Sequence, residues 1–127
     1  MSDDSALARV RAICLALPEA EEAVLQDRPL FRVRSRRFAI FNGASSPPRP
    51  RWSAFGRSVH FVADPQEREA LRQDRRFTTS PHHGDRGWMA ISLEDGVLDW
   101  TELAELLEAA YRHVAGRELV ERLDQRG

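Results

Sequence analysis

The chain has 127 residues, 42% of them hydrophobic and 31% charged, which fits one globular domain over residues 1–127. Its single cysteine, Cys14, excludes an internal disulfide framework and a zinc site built on several thiolates. No apolar run reaches the roughly 18 residues that a membrane helix needs, and the polar, acidic N-terminus lacks the pattern of a signal peptide. We therefore expect a cytoplasmic protein without membrane contact, present as a monomer or a weak dimer.

Charge is distributed unevenly along the chain, although the net charge is -1. Residues 1–27 carry two Arg and six acidic residues, and residues 58–127 carry nine Arg and fourteen acidic residues. Between them, residues 28–57 carry eight Arg and no acidic residue. All 19 basic residues are Arg, so every basic contact of this chain uses a planar, forked donor.

The first predicted element is a helix over about residues 4–17. Leu7, Val10 and Cys14 recur at the spacing of one helix face, and Pro18 ends the pattern. Residues 23–25 form a short candidate strand.

A β-hairpin follows, with strands at residues 29–34 and 37–41 joined by a tight turn at residues 35–36. The alternation places Leu30, Arg32 and Arg34 on one side and Phe31 and Val33 on the other, with Phe31 and Val33 facing the core. Residues 42–51 contain three prolines and are predicted to form a loop.

The second half alternates between strands and helices. Residues 58–63 are predicted as a strand, residues 65–74 as a helix capped by Asp64, and residues 77–81 and 88–93 as further strands. The last main helix begins after Asp99, with Glu102 in the capping-box position, and ends at Gly116. A polar amphipathic tail over residues 118–126 can add one or two helical turns.

The predicted fold class is α+β, an α-β-β-β-α-β-β-α sandwich in which helices pack on a mainly antiparallel sheet. The residues predicted to form its core are Leu7, Val10, Cys14, Leu17, Phe31, Val33, Phe38, Ile40, Val59, Phe61, Trp88, Ile91, Leu103, Leu106, Leu107, Ala110 and Val114.

Four segments of the chain resemble the YjbR/MmcQ family of small bacterial proteins. They are Leu-Pro-Glu-Ala at residues 17–20, Phe-Arg-Val-Arg-Ser-Arg-Arg-Phe-Ala at 31–39, Pro-His-His-Gly-Asp-Arg-Gly-Trp at 81–88, and Leu-Asp-Trp-Thr-Glu-Leu at 98–103 running into Tyr-Arg-His-Val-Ala at 111–115. The resemblance covers about residues 7–120 and implies a fold similar to the secretion-chaperone and frataxin-like folds. Proteins of this family are commonly named DNA-binding, through a double-wing element, so the resemblance also implies DNA binding.

The arginine-rich segment is the main functional signal, because arginines on a two-stranded ribbon can pair with phosphates. The predicted nucleic-acid contacts are Arg32, Arg34, Arg36, Arg37, Arg49, Arg51 and Trp52. DNA is the candidate partner, bound weakly and without sequence specificity, since a pI near 6.4 is not that of a strongly basic domain. The alternatives are that the arginines form a solvated strand face, or that they pair with the acidic block at residues 19–22 and with the last helix.

A second cluster, His82, His83 and Asp85 beside Trp88, offers a different function. A pocket lined by His82, His83 and Trp88 would suit a small ligand or a protein partner. We predict no metal site here, because adjacent side chains in a loop diverge, and Trp88 equally suits the role of a core anchor.

Catalytic motifs are lacking from the sequence. It contains no nucleophile elbow, phosphate-binding glycine loop, zinc-protease helix or dinucleotide fingerprint. Cys14 lies within an apolar helix stripe, which argues against a reactive thiol. The sequence therefore predicts a non-enzymatic protein with no cofactor.

Overall fold

The structure, a computed structural model, describes residues 5–25, 28–42, 57–80, 87–93 and 98–125. The elements that these residues form are, in chain order, α1 (Ser5–Leu15), β1 (Ala20–Leu25), β2 (Arg28–Val33), β3 (Arg36–Asn42), β4 (Ser58–Val62), α2 (Pro65–Arg72), β5 (Phe77–Thr79), β6 (Trp88–Ser92), α3 (Trp100–Ala115) and α4 (Arg117–Gln125). The order contains one strand more before α2 than predicted, because the short candidate at residues 23–25 is part of a six-residue edge strand. Among the described residues, no helix combines the length and the apolar character needed to cross a membrane.

The six strands form one sheet in the order β1-β2-β3-β4-β6-β5, and every pair is antiparallel. The α+β class and the antiparallel sheet are therefore confirmed. Strands β1 and β5 form the two edges, so the β2–β3 hairpin lies beside one edge and α2, which packs on β5, lies at the other.

The hairpin turn lies one residue earlier than predicted. Arg34 and Ser35 form it, with φ values of 48° and 70°. A two-residue turn with both φ values positive matches the right-handed twist of the strands that it joins, but its usual signal is Asn-Gly. Because Arg-Ser carries no such signal, the sequence pattern placed Arg34 in the strand, whereas it belongs to the turn.

The predicted burial of Phe31 and Val33 is confirmed, but Leu30, predicted to lie on the same side as Arg32, is also buried. Phe31 and Val33 are fully buried, whereas the side chains of Arg32 and Arg34 are 39% and 47% exposed. The hairpin therefore contributes apolar side chains to the core and presents arginines to solvent.

Helix α3 holds the sheet through an apolar stripe. The ring of Tyr111 packs edge-to-face on Phe38, with centroids 5.6 Å apart. Its hydroxyl donates a hydrogen bond of 2.7 Å to the Pro18 carbonyl, which links α3 to the segment after α1. All of the predicted core residues are buried except Leu7, Leu106 and Val114, which are half-buried on the margins of their helix stripes.

Both predicted helix caps are present. The Asp99 carboxylate accepts hydrogen bonds from the backbone N–H groups of Thr101, at 2.9 Å, and Glu102, at 3.2 Å. The Asp64 carboxylate accepts one from Gln66 at 2.9 Å. Gly116, with φ of 89°, separates α3 from α4 as predicted for a helix end.

Candidate nucleic-acid interface

The predicted nucleic-acid contacts divide into two groups. The first group lies in the β2–β3 hairpin and comprises Arg32, Arg34, Arg36 and Arg37. The second group lies outside the described residues and comprises Arg49, Arg51 and Trp52. The geometry of the candidate site is therefore that of the hairpin arginines and of what surrounds them.

Arg32 pairs with a glutamate of the neighbouring edge strand. Glu21 of β1 lies directly opposite Arg32 in the β1–β2 register. The Nε and Nη2 atoms of Arg32 donate to one carboxylate oxygen of Glu21 at 3.3 and 3.1 Å. Both side chains are more than a third exposed, and an ion pair between exposed side chains contributes little to stability.

Arg34 is held by two glutamates. Its Nε and Nη2 atoms donate to the two carboxylate oxygens of Glu19 at 3.0 and 3.3 Å, and its Nη1 donates to Glu118 of α4 at 3.4 Å. Arg122 of α4 adds a 2.8 Å bond to Glu19. The hydrogen bonds from Arg34 and then Arg122 hold the pKa of Glu19 below its ordinary value, and the Glu19 carboxylate raises the pKa of Arg34.

Arg36 reaches the end of α3. Its Nη1 donates a hydrogen bond of 3.2 Å to the backbone carbonyl of Val114, one of the last carbonyls of a helix, which have no partner within the helix. This partner is neutral, so the contact positions the guanidinium without cancelling its charge. Arg36 and Arg37 are both exposed.

A β-bulge brings two arginines side by side. Phe31 lies opposite Ala39, whereas the next residue of β2, Arg32, lies opposite Arg37, which leaves Phe38 as the extra residue of β3. Like charges directly opposite each other on neighbouring strands are unfavourable. Glu21, which lies opposite Arg32 on the other neighbouring strand, offsets part of this repulsion.

The sequence pattern found the arginines and named residues 19–22 as alternative partners, and the structure contains two such pairs, Arg32–Glu21 and Arg34–Glu19. It did not find Glu118 or Arg122 as neighbours of the hairpin. These residues lie 84 and 103 positions from their partners in the chain, and no local spacing signals such a contact.

The sheet also carries a row of buried polar side chains, among them Arg28 of the arginine-rich segment and Asn42, which was predicted to begin a loop but ends β3. Arg28 Nε donates to Asn42 Oδ1 at 3.0 Å, and Asn42 lies opposite Ser58. The two ring nitrogens of His60 lie 2.7 Å from the hydroxyl of Ser80 and 3.0 Å from that of Ser58. All five are at most 6% exposed, so they contribute to the interior and are not positioned to meet a nucleic acid.

The predicted pocket is represented in the structure by Trp88 alone. Trp88 is 5% exposed and lies in β6 opposite Val62, where it acts as a core anchor. His82 and His83 lie outside the described residues. Within the described ranges, no group of three or more His, Cys, Asp or Glu side chains is arranged to hold a metal ion.

A separate groove of about 600 Å³ lies between α1, α3 and α4. Ile13, Leu17 and Leu123 provide its apolar wall, and the charged side chain of Arg112 at the groove is bound to Glu108 and Asp124. Because this arginine bridges two carboxylates, the groove does not offer the surplus positive charge that a phosphate backbone requires.

Comparison with known proteins identifies the type of domain. The YjbR family model matches residues 15–113. A crystal structure of a Deinococcus radiodurans protein described by the domain name DUF419 superposes with a TM-score of 0.70 at 23% identity, covering 93% of this chain and 87% of that one. A Pseudomonas syringae protein superposes with a TM-score of 0.60 at 14% identity, covering 87% of this chain and 98% of that one. No curated protein matches the chain.

Proposed function

This chain belongs to the YjbR family, and from that premise we propose that it binds DNA weakly and without sequence specificity through the β2–β3 hairpin. Its role in this proposal is that of a binding module without catalytic activity. The proposal agrees with the earlier resemblance, since proteins of the YjbR/MmcQ type are commonly named DNA-binding.

The observation that carries the proposal is the presence of two exposed arginines, Arg36 and Arg37, beside Arg32 in the hairpin. Arg36 keeps its charge because its partner, the Val114 carbonyl, is neutral, so a phosphate bound there would make a charge-assisted contact. Forked donors on a two-stranded ribbon are suited to the regularly spaced phosphates of a duplex.

The expected affinity is low. Non-specific DNA binding at physiological salt has a dissociation constant of roughly 10⁻⁴–10⁻⁶ M, and each phosphate contact contributes about -0.9 to the slope of log affinity against log salt. Arg32 and Arg34 are bound to glutamates, so we take the exposed Arg36 and Arg37 as the phosphate contacts of this proposal. We therefore expect a slope of about -2 for the unmodified protein.

Fluorescence anisotropy with a labelled duplex of arbitrary sequence, titrated at several salt concentrations, tests the proposal. The double variant Arg36→Gln/Arg37→Gln is expected to abolish measurable binding at low salt while keeping its circular dichroism spectrum.

A matched control is the double variant Arg72→Gln/Arg75→Gln, which removes the same charge at the opposite edge of the sheet. This control should bind like the unmodified protein. If both double variants lose affinity equally, the net charge of the chain and not the hairpin determines binding. If the unmodified protein shows no association at low salt and high micromolar concentration, DNA binding is refuted and the small-ligand alternative becomes the better one.

A further inference from the structure

The hairpin contains two arginines whose donor groups are already occupied. Arg34 uses its Nε and Nη2 atoms on the two oxygens of Glu19, whereas Arg32 uses the same two atoms on one oxygen of Glu21. The contact of Arg34 is the two-pronged arrangement that an arginine also uses on a phosphate, and the Nε and Nη2 atoms of Arg32 are occupied as well. Neither arginine can make its full contact with a phosphate until the glutamate has left.

The carboxylate of Glu19 is placed by more than one part of the fold. Glu19 has a φ of 60° and Arg34 a φ of 48°, conformations that residues other than glycine, asparagine and aspartate seldom adopt. Such strained residues persist only where the surrounding structure determines their conformation. Here the surroundings include Arg122 of α4, which binds the second oxygen of Glu19 at 2.8 Å.

The third glutamate joins the C-terminal helix to the turn. Glu118 in the first turn of α4 lies 3.4 Å from Nη1 of Arg34. The side chains of Glu118 and Arg34 are 71% and 47% exposed, and Glu21 and Arg32 are 57% and 39% exposed. Exposed ion pairs are individually weak and are screened by salt, so a polyanion can displace them.

We propose that Glu19, Glu21 and Glu118 set the affinity of the hairpin for DNA, because they occupy Arg32 and Arg34 in the unbound protein and compete with phosphate for them. The inference depends on the proposed function and identifies how the same site is regulated. The three glutamates act as a built-in competitor, hereafter the glutamate clamp, and keep two of the four hairpin arginines out of contact with DNA.

The triple variant Glu19→Gln/Glu21→Gln/Glu118→Gln tests the clamp in the same anisotropy titration. Glutamine keeps the size of each side chain but does not hold a guanidinium by charge. Releasing Arg32 and Arg34 adds two phosphate contacts, so the salt slope should steepen from about -2 to about -4 and the affinity at low salt should rise roughly tenfold or more.

The charge-matched control is Glu67→Gln/Glu105→Gln/Glu121→Gln, which raises the net charge by the same amount at exposed positions on α2, α3 and α4. It should leave the salt slope unchanged. If the triple variant does not fold, Glu21→Gln alone serves instead, with an expected change in slope of about -0.9.

The outcomes separate the clamp from DNA binding itself. If the unmodified protein binds and the clamp variant behaves like its control, the clamp is refuted and the proposed function stands. If the clamp variant alone binds with a steeper slope, the clamp is supported. If the unmodified protein and both variants fail to associate with DNA, the proposed function is refuted and the clamp is refuted with it.

Discussion

Gly87 and Gly116 both have a positive φ, 91° and 89°, but they differ in their surroundings. The Arg68 guanidinium packs against Gly87 so closely that a Cβ atom there would overlap it, whereas nothing lies within 4 Å of a Cβ at Gly116. Arg68 also donates to the Ala63 carbonyl at 3.1 Å, and the Ala63 N–H donates to the Gly87 carbonyl at 2.9 Å. Gly87 therefore provides both a backbone conformation and the space for a side chain that links α2 to β6.

We expect Gly87→Ala to lower the free energy of unfolding by about 1–3 kcal/mol from the backbone conformation alone, with an added steric cost. A double-mutant cycle separates the two contributions. In an Arg68→Ala background the steric part should disappear, while the cost of Gly116→Ala should be the same in both backgrounds. Urea denaturation of the single and double variants measures this. A cost of Gly87→Ala that is independent of Arg68 would contradict the proposed overlap.

Among the secondary-structure elements, helix α3 contains two adjacent leucines, Leu106 and Leu107, that lie in different environments. Leu107 is fully buried in the stripe that faces the sheet, whereas Leu106 is half-buried. Deleting a buried leucine side chain removes its burial energy and leaves a cavity. The sequence alone predicted both leucines in the core, because the helical period does not distinguish the centre of a stripe from its margin.

We therefore expect Leu107→Ala to destabilise the protein by about 2–5 kcal/mol and Leu106→Ala to cost clearly less. Both variants remove the same atoms from neighbouring positions, so each controls for the other in helix propensity. Thermal denaturation followed by circular dichroism measures the difference. Equal losses would show that α3 is rotated about its axis relative to the position described.

The cap of α3 gives a second prediction for this helix. Replacing Asp99 with Ala removes the acceptor of two backbone N–H groups and should cost on the order of 1 kcal/mol. Asp99→Ser should recover most of this loss, because serine is also a strong N-cap residue. Equal stability of the Ala and Ser variants in the same denaturation assay would contradict the role of the side chain as a cap.

The start of α3 is also tied to the turn before β5 through Arg76. Arg76 Nη2 donates to Asp74 at 2.8 Å, and its Nη1 donates to Glu102 at 2.7 Å. The hydrogen bonds that Asp74 accepts from the side chain and then the backbone N–H of Arg76 hold its pKa below the ordinary value. A carboxyl group whose pKa is depressed by folding stabilises the native state above its unfolded pKa, about 3.9 for aspartate, and this contribution is lost as the pH falls through the folded value.

We expect the unmodified protein to lose stability relative to Asp74→Asn as the pH is lowered below about 4. Because Glu19 titrates with its pKa shifted in the same direction in both proteins, the comparison isolates Asp74. Denaturation midpoints measured between neutral and acidic pH test this. A constant difference between the two proteins over the acidic range would show that Asp74 is not linked to folding.

At the scale of the whole molecule, the sequence correctly predicted structural features that depend on residues close together in the chain. The burial of Phe31 and Val33 and the caps at Asp64 and Asp99 are confirmed, because each depends on residues only a few positions apart. The antiparallel sheet is also confirmed, although it pairs strands as distant in the chain as β4 and β6. The position of the hairpin turn was wrong, because the conformation of Arg34 and Ser35 is imposed by strand pairing and carries no turn signal in the sequence.

The candidate site was predictable in composition but not in arrangement. Counting charges located the arginines, and the acidic block at residues 19–22 was recognised as an alternative partner for them. The contact between the hairpin turn and α4 depends on how α4 packs after α3. The two contacting residues are more than 80 positions apart in the chain, so no local pattern in the sequence indicates the contact. Only the folded structure therefore shows that Arg32 and Arg34 begin with carboxylate partners.

Because Cys14 is buried, its reaction with thiol reagents reports the unfolding event that exposes it. Cys14 is the single thiol, lies in α1 and has no exposed surface. Burial, and to a lesser degree the charge of Glu22, raises the pKa of its thiol, and only the thiolate reacts with alkylating and disulfide reagents. Labelling of the native protein must therefore wait until α1 detaches from the sheet.

Pulse labelling of Cys14 over a range of urea concentrations then measures the free energy of that detachment without any introduced probe. If α1 separates only with the rest of the core, the opening energy from labelling should equal the global value from circular dichroism. A smaller opening energy would instead identify α1 as a unit that unfolds locally while the antiparallel sheet stays intact.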